Sequence, residues 1–359
     1  MKAKMNHVIL LVVVLAFGSG AAWRFNNAKL PSDTVHWEMV TPGIFQKDTC
    51  VDGKPDARID DRHDFFAVQE HLHETPTKDR QAVIRNGEAV GMLFPCKAAY
   101  EAYLTNKLTH GEKETLDPKN PFAKQVVPPG ESQTAFLIRE DLIATAAHWP
   151  LGEQKKPCRE GDPLIVAFGL AITDPEQIAD NSWLESPAIK VFEITERVLW
   201  DFTLNKNDYA VYRLACSATG LAPLELDLET SAQHGDPIYS WGHPKGLPLK
   251  FVDDAQVVDR LGMARRFTCP LDAMPGSSGS PVFNARSHKV IGILSGGNTS
   301  DYTTTIPKQV VHNKYHRHGC KCPREQKYGT KLTRVFRLKA IAPQLNQVFQ
   351  QAPNSPDCQ

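Results

Sequence analysis

From Thr134 to Phe336 the chain is a succession of short apolar runs broken by turn residues. Phe136-Leu137-Ile138 and Leu142-Ile143 flank the polar Arg139-Glu140-Asp141, and further runs span 163–169, 188–194, 209–214, 237–241, 249–258, 264–269, 281–283, 290–295 and 331–336. Segments this short cannot satisfy their backbone groups alone, so they must pair with one another, and the pattern predicts an all-β body. Two segments depart from it. Cys96 to Leu108 carries Tyr100, Tyr103 and Leu104 at helical spacing, and Arg337 to Phe349 reads as a C-terminal helix with Pro343 near its start. Asn86-Gly87, within 81–95, is the expected turn of a hairpin, and the polar, Pro-rich stretch 109–131 reads as a loop.

A chain of 359 residues holds two ordinary domains, or one two-lobed domain with an extension, and 41% hydrophobic residues suffice for real cores. The formal net charge of +0 removes the electrostatic case for nucleic acid or an anionic membrane as partner. Met1-Lys2-Ala3-Lys4, the apolar run Val8 to Phe17 and the small residues Gly18 to Ala22 have the layout of a signal peptide over 1–22. The run is shorter than the about 20 residues of a spanning helix. The expectation is therefore export to the periplasm or the medium, with no membrane attachment after cleavage. Residues 23–58 form an N-terminal extension, either a propeptide or a surface strap. In an oxidising compartment the eight cysteines (Cys50, Cys96, Cys158, Cys216, Cys269, Cys320, Cys322 and Cys358) favour disulfides, whose pairing the sequence leaves open.

The chemistry concentrates in Gly276-Ser277-Ser278-Gly279, which runs into Ser280-Pro281-Val282-Phe283-Asn284. Glycines on both sides let the backbone turn sharply and bring N–H groups close to a reacting carbonyl. A serine hydroxyl is a weak nucleophile at neutral pH and needs a base within reach. Histidine takes and returns a proton near that pH, and a buried carboxylate holds its tautomer. Ala144-Thr145-Ala146-Ala147-His148 and Asn207-Asp208-Tyr209-Ala210-Val211-Tyr212 supply both upstream. Asp201 lies nearby, but Asp208 directly precedes an alternating apolar strand. Ser278 as nucleophile, His148 as base and Asp208 as its orienting partner are the candidate catalytic set.

The order His, Asp, Ser with these flanks resembles the chymotrypsin-like (trypsin-like) serine peptidases. The Gly-x-Ser-Gly-Ser-Pro-Val-Phe form is similar to their bacterial glutamyl-endopeptidase-like branch, as are Ile59-Asp60-Asp61-Arg62-His63 and Gly242-His243-Pro244-Lys245-Gly246-Leu247-Pro248-Leu249-Lys250. The resemblance implies two six-stranded antiparallel β-barrels, with the site in the cleft between them. It assigns 59–225, with an insertion at 96–131, to the first barrel, 226–345 to the second barrel and C-terminal helix, and 346–359 to a tail. It implies an exported, monomeric serine endopeptidase acting on polypeptides through an acyl-enzyme, with no cofactor. The backbone N–H groups of Gly276 and Ser278 would form the oxyanion hole. Ser295, Gly296 and Gly297 would pair with substrate backbone, and the glycine at 296 would open the cleft. Asp272 would either sit at the floor of the specificity pocket or support its loop. Leu294 stands where glutamate-preferring members have a histidine, which argues against that preference.

Several departures are informative. Gln133 and Trp149 stand where the family has a bridging cysteine pair beside the histidine, and Met274 replaces a further bridging cysteine. Ser277 replaces the aspartate that pairs with a freed amine in the animal digestive enzymes, so that activation ion pair is not available. His312, His316, His318, Cys320 and Cys322 could ligate a metal, but Cys-x-Cys among basic residues reads as a disulfide-anchored loop, and no metal is expected. The rival to the peptidase reading is a catalytically inactive binding protein on the same scaffold.

Overall fold

The computed structural model describes residues 50–51, 54–55, 62–74, 78–106, 122, 124–128, 131–148, 158–204, 206–258, 264–269, 271, 273–296 and 333–353. The signal-peptide and His/Cys-loop expectations therefore lie outside the described residues, as do Asp272 and Gly297, and of the extension 23–58 only 50–51 and 54–55 are described. A small ribbon, β1 (Cys50–Val51) with β2 (Lys54–Pro55), comes first. Then follow β3 (His63–Asp64), the helices α1 (Phe65–Glu74) and α2 (Lys78–Glu88), β4 (Val90–Phe94) and α3 (Lys97–Asn106). The helix expected over 96–108 is thus present as α3.

The next strands are β5 (Gln133–Arg139), β6 (Leu142–Thr145) and β7 (Ile165–Phe168), then, after the short α4 (Gln177–Asp180), β8 (Lys190–Thr203) and β9 (Asn207–Leu214). With β4 they close into a six-stranded antiparallel barrel in the order β4-β5-β6-β9-β8-β7. Closure leaves no open edge to pair with a second molecule. Asp141, at the β5–β6 turn, is fully buried between Arg139 (Nε to Oδ1, 2.5 Å) and Arg213 (Nη1 to Oδ2, 2.7 Å). Burial alone would raise the Asp141 carboxyl, but hydrogen bonds and charge from the two guanidiniums outweigh it and hold it below the usual carboxylate range. Arg139 also donates to the carbonyls of Val348 (3.2 Å) and Gln351 (2.9 Å), capping the C-terminal helix onto the barrel.

β10 (Pro237–Gly242), β11 (Lys250–Gln256), β12 (Arg266–Cys269), β13 (Pro281–Asn284), β14 (Val290–Gly296) and β15 (Thr333–Arg337) follow, and α5 (Ala342–Phe349) ends the described body. Together with β3 they form a seven-stranded sheet in the order β12-β15-β14-β13-β10-β11-β3. The second closed barrel expected from the sequence is not shown: among the described residues this sheet is not closed. Beyond β11 a single bridge, Val258 to Thr268, is all that links it to β12 among the described residues. The edge of β11 is taken instead by β3, through Lys250 with Asp64 and Phe251 with His63. Residues 63–64, assigned by sequence to the first barrel, thus belong to the second sheet.

The hairpin expected over 81–95 is also corrected. Residues 78–88 are helical, and only 90–94 form a strand. Asn86 is buried and donates to Tyr239 Oη and His288 O, both at 3.0 Å. A Cβ at Gly87 would meet the Trp241 ring at 3.0 Å. The Asn-Gly pair serves helix-to-sheet packing here, so tertiary contacts override its turn preference. The molecule is mostly β, with helices beyond those the sequence predicts. One continuous apolar cluster includes Phe136 and Val211 of the barrel and Trp241, Phe283 and Phe336 of the sheet. Tyr209 stacks on Phe336 with ring centroids 5.0 Å apart, which sets β9 against β15. Cys96 is disulfide-bonded to Cys158, Cys216 is also in a disulfide, and Cys269 is a buried free thiol that burial pushes up to about 12.

Candidate active site

Three elements meet beside the barrel. β6 pairs with β9 through Thr145 and Ala210, and extending that register by two residues brings Ala147 opposite Asp208. Asp208 is buried, and its Oδ1 accepts from the backbone N–H groups of Ala147 (2.8 Å) and His148 (3.0 Å). Its Oδ2 accepts from His148 Nδ1 at 2.7 Å. With that ring proton held by the carboxylate, Nε2 is left to accept from Ser278 Oγ at 2.9 Å. The His148 side chain is 30% exposed and that of Asp208 2%, so the pair has one dry end and one open end. The three residues proposed from sequence come together at hydrogen-bond distances, and Asp201, the competing carboxylate, bonds instead to Thr203 and Asn207.

Ser278 sits on a turn held from two sides. Thr134 N–H donates to Ser278 O (3.0 Å), and Gly279 N–H donates to Leu294 O (2.8 Å). Gly279 has φ +88, and a Cβ there would overlap Thr134 O and Thr145 Oγ1, so this glycine is required twice over. Ser277 N–H donates to Met274 O (2.9 Å) and Ser280 N–H to Ser277 O (3.0 Å). The N–H groups of Gly276 and Ser278, on either side of Ser277, donate to no protein acceptor among the described residues. Two unpaired donors beside a nucleophile are the requirement for binding an oxyanion.

Gln133 is buried and its Nε2 donates to Ala146 O (2.9 Å). A hydrogen bond thereby ties β5 to the segment leading into His148 in place of a covalent bridge, while Trp149 lies outside the described residues. At the strand edge, Ser295 is buried. The space left by Gly296 is taken by Arg334: a Cβ at 296 would meet its guanidinium at 2.8 Å. The glycine therefore does not widen the cleft, and an exposed cation that sequence reasoning missed lies at this edge.

The loop His243–Leu247 was legible as a segment but not as a neighbour of the site. His243 is fully buried, and its Nδ1–H donates to Leu247 O at 3.0 Å. Burial, opposed by that bond and reinforced by the Lys250 charge, takes its pKa down to about 4, so it is a neutral structural imidazole near neutral pH. Beneath the serine turn, Lys250 is buried in an ion pair with Asp64 and donates to Gln125 Oε1 at 2.7 Å. Arg62 Nη1 lies 3.2 Å from Met274 Sδ.

No curated protein sequence matches the chain. Among solved structures, an inactive form of a Mycobacterium tuberculosis protein is 16% identical with TM-score 0.39, covering 76% of this chain and 92% of that one. The active form of that protease is 17% identical with TM-score 0.39, covering 77% and 88%. A serine endoprotease from Yersinia pestis is 17% identical with TM-score 0.39, covering 62% and 58%. Residues 133–293, from β5 into β14 and including His148, Asp208 and Ser278, match the trypsin-like peptidase domain, and the fold of the chain is trypsin-like.

Proposed function

We propose that the protein is an exported serine endopeptidase, of the glutamyl-endopeptidase-like branch its serine motif resembles, and that it cleaves polypeptides through Ser278, His148 and Asp208. The observation that carries this reading is the continuous relay from Asp208 Oδ2 through His148 to Ser278 Oγ, with spacings of 2.7 and 2.9 Å. In the first half-reaction Ser278 Oγ bonds to the substrate carbonyl carbon while its proton passes to His148 Nε2. The resulting imidazolium is stabilised by the Asp208 carboxylate and returns the proton to the leaving amine. A water then repeats the sequence in the second half-reaction, releasing the acid and restoring Ser278. The negative charge on the carbonyl oxygen is received by the N–H groups of Gly276 and Ser278. None of these steps calls for a cofactor, and the enzyme acts as a monomer in the periplasm or the medium. The test is intact-mass analysis of purified protein after a fluorophosphonate, beside Ser278→Ala. One adduct on the wild type, absent from the variant, is expected; a folded wild type without an adduct overturns the proposal in favour of a binding protein on a peptidase scaffold.

A further inference from the structure

The end of β14 runs past the serine with one edge unpaired. Gly279 N–H donates to Leu294 O (2.8 Å) and Leu294 N–H to Ser280 O (2.9 Å), which holds β14 against the serine turn. β13 begins at Pro281, opposite Ile293, so Ser295 and Gly296 have only β15 beside them among the described residues. A substrate strand laid antiparallel along that edge extends the sheet. It sets the residue whose carbonyl is attacked beside Ser295, and the residue before it beside Gly296. Side chains alternate along a strand, so the second and fourth residues before the cleaved bond face the same way as position 296.

That face is cationic. Arg334 of β15 lies directly opposite Gly296, and residues opposite each other in a sheet share a face. With no side chain at 296, the guanidinium reaches over the glycine, 2.8 Å from where a Cβ would stand. It therefore extends from its own strand toward the one a substrate would add. Phe336, two residues on from Arg334, and Arg266, opposite Phe336 on β12, share this face. Phe336 stacks there on Tyr209, the neighbour of Asp208. Arg266 is buried, and its Nε has no hydrogen-bond partner. Burial lowers the Arg266 pKa; the Asp208 carboxylate opposes that effect and the Arg334 charge reinforces it. Arg265, exposed just before β12, donates through Nη1 to Asn207 Oδ1 at 2.9 Å. The carboxylates of this region are already engaged, Asp208 by Ala147 and His148 and Asp201 by Thr203 and Asn207. A buried guanidinium with a donor left unpaired is costly, and an anion brought close offsets that cost.

We propose that the face of Gly296 is a subsite for an acidic side chain. The Arg334 guanidinium, with Arg266 and Arg265 behind it, takes the carboxylate of an aspartate or glutamate at the second or fourth residue before the cleaved bond. This rests on the peptidase reading above. The residue that supplies the cleaved carbonyl points its side chain the opposite way, so the subsite is separate from the preference at the bond itself.

The experiment digests a mixture of denatured proteins with the purified full chain and reads the cut sites by mass spectrometry. Asp and Glu should exceed their frequency in the mixture at the second or fourth position before the cut. A synthetic peptide of the commonest cut sequence, with Glu at that position, is then compared with its Gln counterpart. Wild-type kcat/KM should favour Glu about tenfold, the scale of one charge-assisted hydrogen bond, and the ratio should shrink as salt is raised. In Arg334→Gln the ratio should fall to within about twofold of unity, and Arg334→Glu should cut a Lys peptide faster than the Glu peptide. Both peptides meet the same enzyme, so a general loss of activity cancels from the ratio. A wild type that takes up the fluorophosphonate but shows no excess of Asp or Glu overturns the acidic subsite alone, as does an Arg334→Gln chain that keeps the wild-type ratio. If Arg334→Gln does not fold, the salt series on wild type decides: a ratio unmoved between about 0.05 and 1 M salt overturns the inference. A folded wild type with neither adduct nor cleavage overturns the peptidase reading and the subsite together.

Discussion

Replacing Asp208 by asparagine should separate orientation of the base from stability of the fold. The carboxylate accepts three bonds: two from the backbone N–H groups of Ala147 and His148 on Oδ1, and one from His148 Nδ1 on Oδ2. An asparagine can keep both backbone bonds with its single oxygen. Its NH2 group then takes the place of Oδ2 and points a donor at His148 Nδ1. That nitrogen must now accept, so the ring proton moves to Nε2, which lies 2.9 Å from Ser278 Oγ. The base presents an N–H where it needs a lone pair, and the productive tautomer sets two donors face to face. Loss of orientation and of imidazolium stabilisation together costs about 4–5 kcal/mol in barrier, or three to four powers of ten in rate. Stability should fall by no more than about 1 kcal/mol, the net worth of one exchanged hydrogen bond. Initial rates of fluorophosphonate labelling, read beside a urea unfolding curve, test both halves. A variant that labels within tenfold of wild type would refute the orienting role. Equal collapse of activity and stability would show that Asp208 acts through the fold.

Asp141→Asn should destabilise by about 3–5 kcal/mol, because it takes the shared counter-charge from the half-buried Arg139 and the buried Arg213 and leaves Arg213 only the exposed Glu196 (Nε to Oε2, 2.7 Å); the midpoint of urea unfolding checks this. The Asp141 carboxyl is held below its unfolded value, so its contribution is present above about pH 4 and disappears as pH falls through the lower folded value. His243 has the complementary signature. Its folded pKa of about 4 lies below the usual 6.5, so between those values the unfolded chain binds the extra proton and stability falls with decreasing pH. The loss is on the order of 3 kcal/mol across that window, and H243Q should flatten the slope of unfolding free energy against pH between pH 6.5 and 4. Breaking Cys96–Cys158 by a double change to serine opens a loop with a sequence separation of 62 residues, for an expected loss of about 4 kcal/mol by chain entropy. Calorimetry of the oxidised and variant proteins measures that loss.

The candidate site was readable because its parts are local. His148 follows a strand of small and β-branched residues, Asp208 opens an alternating strand, and Ser278 lies on a glycine turn whose φ values no other residue type adopts easily. What escaped the sequence were contacts between residues far apart in the chain. Thr134 reads as an ordinary strand residue until its hydroxyl meets Gly276 O, 142 positions away. Arg334 reads as a surface cation until it fills the space beside Gly296. Asn86-Gly87 misled for the same reason: the local preference for a turn is worth little against a helix that buries Asn86 on Tyr239 and seats Gly87 on Trp241.

The run of short apolar segments and the three motif residues determined by themselves that the chain is mostly β and which side chains make up its candidate site. Period, turn chemistry and side-chain type act within a few residues and are therefore written in the sequence. Tertiary structure alone decided that the first barrel closes and that β3 takes the edge of the second sheet, which is not closed among the described residues. It alone also decided which way the Pro275–Gly276 peptide faces. Sheet closure is set by which distant strands pair along each free edge, and a peptide orientation by one or two hydrogen bonds from another segment. Neither leaves a periodic trace, because both depend on pairings between residues that become neighbours only on folding.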